Sequence, residues 1–309
     1  MTSISLEKTI RNFVKKFPLM GVSIIGTSRL GRPIYALTLG HGEKNVLINA
    51  AHHANEWITS LIALRFLEEC AKADAANWMD KITLHVIPLV NPDGVDLVTG
   101  GLGRMRPVYK KAKSMAEKYR FEKHEGQPEK TPRQVQDDIL ACWKANAIGV
   151  DLNSNYPAGW EDGKAHKFAR GYTTPGPRDY VGDFPLSEPE TTAMVAYTIL
   201  NDFDITVSLH TQGEEIFWRY KNFDPPGAKN LAHRMAIASG YTLKDVPSTS
   251  AHGGYRDWFI ETFNRPGMTI ECGSGENPLP LSDFENMYKK VSPLLWEILS
   301  SKDFYSHIS

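Results

Sequence analysis

VLINAAHHANEW, residues 46–57, is the stretch from which the rest of this 309-residue chain is best interpreted. Its first six residues, apolar apart from Asn49, have the pattern of a buried strand. Two histidines, His52 and His53, and then Glu56 follow directly. Because a buried strand rarely ends in several titratable groups without a use for them, the junction predicts a functional site, provided that the rest of the chain supplies partners.

Strand-like and helix-like segments alternate along the chain, which favours a central sheet covered by helices. The sequence predicts a hairpin over residues 22–40 and buried strands at 46–51, 82–90, 205–210 and 267–271. It predicts helices at 6–17, 56–73, 187–200, 228–239 and 282–298. Ser187 and Glu190 form a predicted capping box, and the Gly- and Pro-rich residues 163–185 predict a long surface loop. No repeat or linker interrupts the pattern, so residues 1–309 are interpreted as a single domain.

The composition is that of an ordinary globular protein, with 41% hydrophobic and 23% charged residues. The formal net charge of −1 gives no field that would favour nucleic acid or an anionic membrane as a partner. The basic stretch 104–123 is interpreted as a solvated helix face. No apolar run approaches the ~18 residues of a membrane span and the N-terminus lacks an apolar signal core, so a cytoplasmic location is expected. The three cysteines are too widely spaced for a disulfide framework.

Four titratable residues, His53, Glu56, His210 and Glu271, fall at or just after the carboxyl ends of predicted strands. Ligands bind at that edge of open α/β sheets, so these side chains are expected to converge. His53 and Glu56 suit one metal held by a turn that enters a helix, and His210 would complete the His₂Glu set of catalytic zinc sites. Glu271 would then be free to act as general base on a water. Each residue alone has a simpler structural interpretation, but the combination favours a metal.

Several motifs occur in the order and spacing of the zinc metallocarboxypeptidases related to carboxypeptidase A. They are HHANEW (52–57), NPDG (91–94), WKAN with GVDLNSN (143–155), SLH (208–210), GGYRDW (253–258) and TIECG (269–273). The chain resembles this family over nearly its whole length. PAGW (157–160), PLSEPE (185–190) and ENPLP (276–280) are most similar to the bacterial branch that cuts γ-D-glutamyl–diaminopimelate bonds. The resemblance implies an α/β domain with a mixed, twisted sheet of about eight strands and helices on both faces.

The resemblance also implies roles for individual residues. One Zn²⁺ per chain would be held by His53, Glu56 and His210, with Glu271 as the general base. Lys144 stands where the family has an arginine that polarises the scissile carbonyl, and a lysine supplies the charge without the bidentate fork. Arg104 and Arg106 remain alternatives for that role. His52 is interpreted as a packing residue beside the site.

Two departures from the family pattern concern residues that bind the substrate in the family. Carboxypeptidases of the family have an Asn-Arg pair in this segment that binds a free C-terminal carboxylate, whereas here Asn153 is followed by Ser154. A tyrosine that the family places four residues before the paired glycines is Thr249. Asn153 and Thr249 are therefore candidate substrate-binding residues. The site is expected to depend less on a free C-terminus than a strict exopeptidase does.

Arg256, in GGYRDW, stands at the position that forms the floor of the family's pocket for the side chain following the cut bond. Digestive members have an apolar residue or an aspartate there. An arginine is complementary to a carboxylate, and diaminopimelate carries one at the far end of its side chain. The alternative interpretation is a structural ion pair between Arg256 and Asp257 or Glu261.

These features predict a zinc metallopeptidase that hydrolyses the γ-D-glutamyl–meso-diaminopimelate amide of murein (peptidoglycan) peptides. Zinc would polarise the carbonyl and acidify its bound water, Glu271 would pass the proton to the leaving amine, and Lys144 or a nearby arginine would steady the oxyanion. A metallocarboxypeptidase or an aspartoacylase- or desuccinylase-like amidohydrolase acting on acidic substrates is the alternative enzyme. A non-catalytic binding module is disfavoured, since Glu271 accompanies all three ligands.

Overall fold

Hydrogen-bonded strands join into one mixed sheet in the part of the chain that the computed structural model describes, residues 1–73, 78–121, 140–244 and 252–300. The strands are β1 (Gly21–Thr27), β2 (Pro33–Leu39), β3 (Lys44–Ala50), β4 (Ile82–Ile87), β5 (Ile205–His210), β6 (Glu215–Phe217), β7 (Thr242–Lys244) and β8 (Gly267–Glu271). The helices are α1 (Ser3–Lys16), α2 (Ile58–Lys72), α3 (Pro92–Val98), α4 (Pro107–Phe121), α5 (Trp160–Ala169), α6 (Pro189–Asn201), α7 (Ala228–Ser239), α8 (Tyr255–Phe263) and α9 (Phe284–Ser300). The predicted α/β class and the eight-stranded mixed sheet are confirmed.

The order of the strands, β1-β2-β4-β3-β5-β8-β6-β7, places a parallel core between antiparallel additions. β4, β3, β5 and β8 run parallel, while the predicted hairpin β1–β2 is antiparallel and joins β4 antiparallel. From β3 the chain proceeds to β4 on one side, and β5 lies on the other side of β3. Such a reversal of strand order opens a crevice at the carboxyl ends of the two strands. The ends of β3 and β5 are therefore where a site is expected.

Side chains of the central strands alternate between two apolar clusters, one on each face of the sheet. In β3, Val46 and Ile48 belong to the cluster covered by α1, α2, α7 and α9, whereas Leu47 belongs to the cluster covered by α6 and α8. Successive strand residues point to opposite faces, so a strand that is apolar throughout must be covered on both. All six residues of β5 are buried, as this arrangement requires.

The expectation of a surface loop over residues 163–185 is wrong in part. Helix α5 occupies its first third, and Tyr172, Tyr180 and Val181 beyond it are buried. Asp179, in the middle of the segment, is also buried and forms ion pairs with Lys167 and Arg178. The Gly and Pro residues do mark turns. The aromatic side chains between them are buried, so the segment packs against the rest of the protein.

The predicted capping box at Ser187 and Glu190 is also wrong. Helix α6 begins at Pro189 with Glu188 as its N-cap, and no side chain caps it. Glu190 instead accepts a hydrogen bond at 3.0 Å from the backbone amide of Arg29, far away in the sequence. Contacts with a distant segment therefore replace the local cap.

Two of the compositional expectations concern membranes and cysteines. No helix among the described residues is long and apolar enough to cross a membrane. Cys70, Cys142 and Cys272 are all free thiols, as their spacing predicts.

Candidate metal centre and active-site cavity

The stretch that follows β3 turns sharply and presents two side chains to the crevice. Ala51 adopts a positive φ of 53°, and its amide donates to Thr59 Oγ1 at 3.0 Å. A short 3-10 turn, Ala54–Glu56, then leads into α2. Because Glu56 lies one turn after His53, its carboxylate returns to the imidazole, and His53 Nδ1 lies 2.8 Å from Glu56 Oε1.

His210, the last residue of β5, completes the group from the neighbouring strand. Its Nδ1 lies 2.9 Å from Glu56 Oε2 and 3.2 Å from His53 Nδ1. One ligand atom from each of His53, Glu56 and His210 lies within 4.8 Å of the others, and all three residues are buried. The structure therefore brings together the three residues predicted as a metal site.

The residues present fit a divalent cation. Two imidazole nitrogens face each other and one carboxylate, a set that a cation can satisfy by accepting a lone pair from each residue. In the described part of the chain no lysine or arginine forms an ion pair with Glu56, and the buried His210 Nε2 has no hydrogen-bond partner. Burial lowers the pKa of His53, but Glu56 and Asp151 outweigh it and raise that pKa to about 9. A positive charge is thus strongly favoured at this point.

Glu271 ends β8 directly opposite His210 in the parallel register of β5 and β8. Glu271 lines a cavity together with His53. Burial and the negative charge of Glu56 raise the pKa of Glu271 to about 8. A cation bound between the histidines opposes that rise, since a nearby positive charge stabilises the carboxylate. The position suits a group that takes up and releases a proton.

The cavity has a volume of about 290 Å³ and an unusually charged lining. Besides His53 and Glu271 it contains Lys144, which forms no ion pair within the described residues. Lys144 is positioned by its backbone, whose carbonyl accepts from Ala54 N at 2.9 Å. Arg104 and Arg106, the alternatives to Lys144, are exposed and do not line the cavity.

The segment 149–155 and the start of α8 also line the cavity, with Asn153 and Arg256 among their residues. Asn153 Oδ1 accepts from Tyr255 N at 3.1 Å. Gly253 allows this approach: its φ is +77°, and an added Cβ would lie 2.8 Å from Ser154 O. Thr249, the other predicted substrate contact, lies outside the described residues.

Arg256 is buried and paired, but it still faces the cavity. Its Nε donates to Asp257 Oδ1 at 3.0 Å, and its Nη2 donates to the same oxygen. Glu261 pairs with Lys221 instead. The expected alternative, an ion pair with Asp257, is therefore present, and it leaves Nη1 without a hydrogen bond among the described residues.

The family model described as "Zinc carboxypeptidase" matches residues 6–292. The chain belongs to the zinc carboxypeptidase family. Gamma-D-glutamyl-L-diamino acid endopeptidase 1 of Lysinibacillus sphaericus is 36% identical over 292 residues, which cover 91% of this chain and 68% of that relative. The family resemblance inferred from the motifs is confirmed. Among the described residues, His53, Glu56 and His210 are the group whose ligand atoms lie close enough together to hold a metal ion.

Solved structures show the same fold. Bovine thrombin-activatable fibrinolysis inhibitor, in complex with tick carboxypeptidase inhibitor, superposes with a TM-score of 0.74 at 18% identity and covers 100% of this chain and 98% of that one. Murein-tripeptide amidase from Escherichia coli O157 superposes with a TM-score of 0.54 at 20% identity, covering 94% and 93%. The architecture of this zinc carboxypeptidase is therefore shared with distant relatives.

Several residues of this zinc carboxypeptidase site escaped the sequence interpretation. Asp151 Oδ1 lies 3.2 Å from His53 Nε2, so it fixes which imidazole nitrogen faces Glu56. Asn277 accepts from Thr211 Oγ1 at 2.6 Å and donates to Thr211 O at 2.9 Å, and Thr211 N donates to Glu56 Oε2 at 3.2 Å. Asp151 and Asn277 lie inside the motifs GVDLNSN and ENPLP. Each is a polar side chain that could orient a metal ligand, and this is the signal in the sequence that points to them.

His52 behaves as expected for a packing residue. Its Nε2 lies 2.9 Å from Tyr156 Oη, and its ring stacks against that of His210. It makes no hydrogen bond to the three candidate ligands among the described residues. It supports the ring of His210 from behind.

Proposed function

We propose that this zinc carboxypeptidase hydrolyses the γ-D-glutamyl–meso-diaminopimelate amide of murein peptides, with Zn²⁺ held by His53, Glu56 and His210. The observation that carries the substrate assignment is Arg256, a buried guanidinium in the cavity wall with one nitrogen uncommitted. A relative at 36% identity is named for cleavage next to a γ-D-glutamyl residue and an L-diamino acid. The relative supports a γ-D-glutamyl bond to a diamino acid, and Arg256 supports a carboxylate on the residue after the cut bond.

Asp257 does not remove Arg256 from this role. It holds the planar guanidinium through Nε and Nη2, and this restricts the rotamers of a long side chain before the substrate arrives. A carboxylate of diaminopimelate would then bind the remaining donors by charge-assisted hydrogen bonds. Lysine at the same place has no such carboxylate and would leave the donors desolvated and unpaired.

The protein side chains divide the remaining work. Zinc supplies, when bound, polarisation of the scissile carbonyl and acidification of a water. Glu271 accepts a proton from the attacking water and delivers it to the leaving amine nitrogen as the amide bond breaks. Lys144, a cation without a partner among the described residues, stabilises the negative charge that develops on the carbonyl oxygen. Asn153 faces the same space and is available to bind the peptide.

The test compares two tripeptides, L-Ala-γ-D-Glu-meso-diaminopimelate and L-Ala-γ-D-Glu-L-Lys. We expect kcat/KM for the first to be higher by about 10- to 150-fold, the equivalent of one hydrogen bond to a charged group. In Arg256→Ala the ratio should shrink because the diaminopimelate peptide is cut more slowly. Mass spectrometry of the products identifies the bond that breaks.

Arg265→Ala is the matched control, since Arg265 also pairs with an aspartate, Asp202, at 2.7 Å but does not line the cavity. It should leave the ratio unchanged. A ratio that stays the same in Arg256→Ala would make Arg256 a structural residue only. Failure of the wild-type zinc enzyme to cut either peptide would contradict the proposed reaction.

A further inference from the structure

One wall of the cavity carries a lysine that the reaction described above does not use. Lys167, in the last turn of α5, lines the cavity together with Asp179 from the segment that follows. Its side chain is about one-fifth exposed, with a relative exposure of 20%. Neither residue belongs to a motif by which the family was recognised.

Asp179 holds Lys167 in place and is itself firmly fixed. Lys167 Nζ pairs with Asp179 Oδ1, and Arg178 Nε donates to Oδ2 at 2.6 Å. The amide of Asp179 donates to Asp151 Oδ2 at 3.2 Å. Asp179 also adopts a φ of 66°, which is uncommon for a residue other than glycine and persists only where surrounding contacts enforce it.

These bonds connect Lys167 to the metal centre. Asp151 contacts Asp179 through one oxygen and His53 Nε2 through the other, both at 3.2 Å. The ammonium group of Lys167 is therefore anchored at a defined position relative to the candidate ligand His53. An ammonium group at that position can bind the part of a substrate that lies near His53.

Lys167 keeps donors that its ion pair does not use. Burial would raise the pKa of Asp179, but Lys167 and Arg178 lower it below its ordinary range, so the carboxylate is ionised between two cations. Lys167 has three N–H donors and uses one on Asp179 within the described residues. Lys167 therefore presents free ammonium donors at the cavity, and such donors are complementary to an anion.

Arg256 and Lys167 lie in different surroundings. Arg256 packs over the ring of Phe217 and bonds Asp257, whereas Lys167 belongs to the group that leads to His53. A substrate that spans the cavity thus meets two separate cationic positions. In a γ-linked glutamyl peptide, the residue that contributes the scissile carbonyl keeps its α-carboxylate free, while an α-linked residue has consumed it in the amide.

We propose that Lys167, held by Asp179, binds the free α-carboxylate of the γ-linked glutamyl residue on the acyl side of the scissile amide. This assignment rests on the proposed function. It makes Lys167 a specificity residue for the γ linkage, distinct from Arg256, which reads the residue after the cut. Loss of a hydrogen bond to a charged group predicts about a 10- to 100-fold effect on kcat/KM.

The decisive pair of substrates differs only in that carboxylate. In L-Ala-4-aminobutanoyl-meso-diaminopimelate the glutamyl residue keeps its chain length and amide but lacks the α-carboxylate. The wild-type zinc enzyme should prefer the glutamyl peptide by about 10- to 100-fold. In Lys167→Met this preference should collapse because kcat/KM for the glutamyl peptide falls, while that for the aminobutanoyl peptide stays the same.

Two further variants separate charge from structure. Lys167→Arg keeps the charge and the donors and should retain most of the preference. Lys164→Met changes a lysine of the same helix whose Nζ lies 4.7 Å from the centre of the Trp160 ring and which does not line the cavity, so the preference should not change. Asp179 keeps Arg178 as a partner in Lys167→Met, and thermal unfolding checks that the fold survives.

A binding measurement keeps this proposal independent of turnover. Calorimetric titration of zinc-loaded Glu271→Gln with both peptides should show tighter binding of the glutamyl peptide, and Glu271→Gln/Lys167→Met should show equal binding. Carboxylate-dependent binding that needs Lys167, with no hydrolysis by the wild type, would support the carboxylate site and overturn the proposed reaction. Hydrolysis with an unchanged preference in Lys167→Met, or no difference in binding between the two peptides, would overturn the role of Lys167.

Discussion

Two buried groups of carboxylates in this molecule satisfy their charges in opposite ways. In the arginine-paired cluster, Arg32 contacts Asp93 and Asp96, each at 2.8 Å, and Arg29 contacts Glu188 at 3.0 Å; Glu190 also belongs to this cluster. In the metal centre, the carboxylate of Glu56 contacts two imidazoles and a backbone amide, and no lysine or arginine among the described residues pairs with it.

The difference teaches how a binding site can be told from a structural network. Both groups lie near quoted motifs and both are buried, so neither burial nor motif membership separates them. A buried carboxylate needs a cationic or hydrogen-bonded partner. In the arginine-paired cluster the partner is a permanently charged arginine side chain of the protein. In the metal centre the chain supplies only imidazoles and a backbone amide, and a bound metal ion would supply the lasting positive charge.

The largest expected effect concerns the base of the metal centre. Glu271→Gln removes the proton acceptor but keeps the shape, so kcat/KM should fall by about 10²–10⁴-fold. Because Glu271 is assigned as a base rather than a ligand, elemental analysis should find the wild-type zinc content. Glu285→Gln, an exposed position in α9, should retain full activity. Near-normal turnover in Glu271→Gln would remove Glu271 from the mechanism.

The next effect concerns the ligands. Loss of a residue that merely orients a ligand costs about 10- to 100-fold in metal affinity, so His210→Ala should weaken zinc binding by more than about 100-fold. Competition with a chelator of known affinity measures this. His85→Ala is a control, since His85 is buried but bonds Tyr197 at 2.8 Å, away from the metal centre. Unchanged zinc affinity in His210→Ala would contradict the assignment of His210 as a metal ligand. The metal centre would then no longer differ from the arginine-paired cluster in needing a metal ion.

Arg32→Met tests the arginine-paired cluster. It leaves Asp93 and Asp96 buried without the cation that bridges them, and breaking a buried pair costs about 3–5 kcal/mol. Arg32 itself has a side-chain exposure of 18%, so we expect the lower end, about 3 kcal/mol in the free energy of unfolding. Urea denaturation measures it. Arg65→Met, which breaks an exposed pair with Glu69 at 3.9 Å, should cost under about 1 kcal/mol.

Zinc content should not change in Arg32→Met, because the cluster holds its own cations. An unfolding free energy equal to that of the wild type would show that Arg32 is dispensable to the buried aspartates. A zinc requirement for the stability of that variant would erase the distinction drawn between the two groups.

An effect of similar size, which depends on pH, arises from the least satisfied carboxyl of the cluster. Glu190 Oε1 accepts from Arg29 N, but Oε2 has no partner among the described residues. Burial raises the pKa of Glu190 from 4.5 to about 7. The folded state therefore favours the protonated form, so the stability contributed by Glu190 is complete below pH 4.5 and is lost as the pH rises to 7.

At about 1.36 kcal/mol per pKa unit this loss amounts to about 3 kcal/mol. Glu190→Gln cannot ionise, so its unfolding free energy should lack this decline between pH 4.5 and 7. Denaturation of both proteins across that interval measures the difference. Parallel curves for the two proteins would show that Glu190 titrates normally.

The sequence predicts the metal centre well because its chemistry sits where regular structure ends. His53, His210 and Glu271 each follow a strand whose apolar pattern is visible in the sequence, and parallel strands end at a common edge. Glu56 follows from its spacing to His53. The fold itself follows from the same alternation of strands and helices.

The arginine-paired cluster and the Lys167 wall could not be predicted in this way. Glu190 has the local spacing of a capping box, but its partner is Arg29, more than 150 positions away. Asp179 lies in a Gly- and Pro-rich segment without periodicity, and only the folded chain shows that it is buried. Contacts between irregular segments depend on tertiary packing, which no local pattern encodes.

The pairing of His210 with Glu271 has a consequence for how this enzyme can change over evolutionary time. The two residues face each other across adjacent strands, and Cys272 N donates to His210 O at 2.8 Å just beyond them. Neighbouring strands lie about 4.8 Å apart in any sheet, so the spacing of the proposed base from the neighbouring candidate ligand is inherited with the fold. Lys167 and Arg256 are carried by helices instead. Substitution of these two side chains can change the substrate specificity. The spacing of His210 and Glu271, which the sheet fixes, then stays the same.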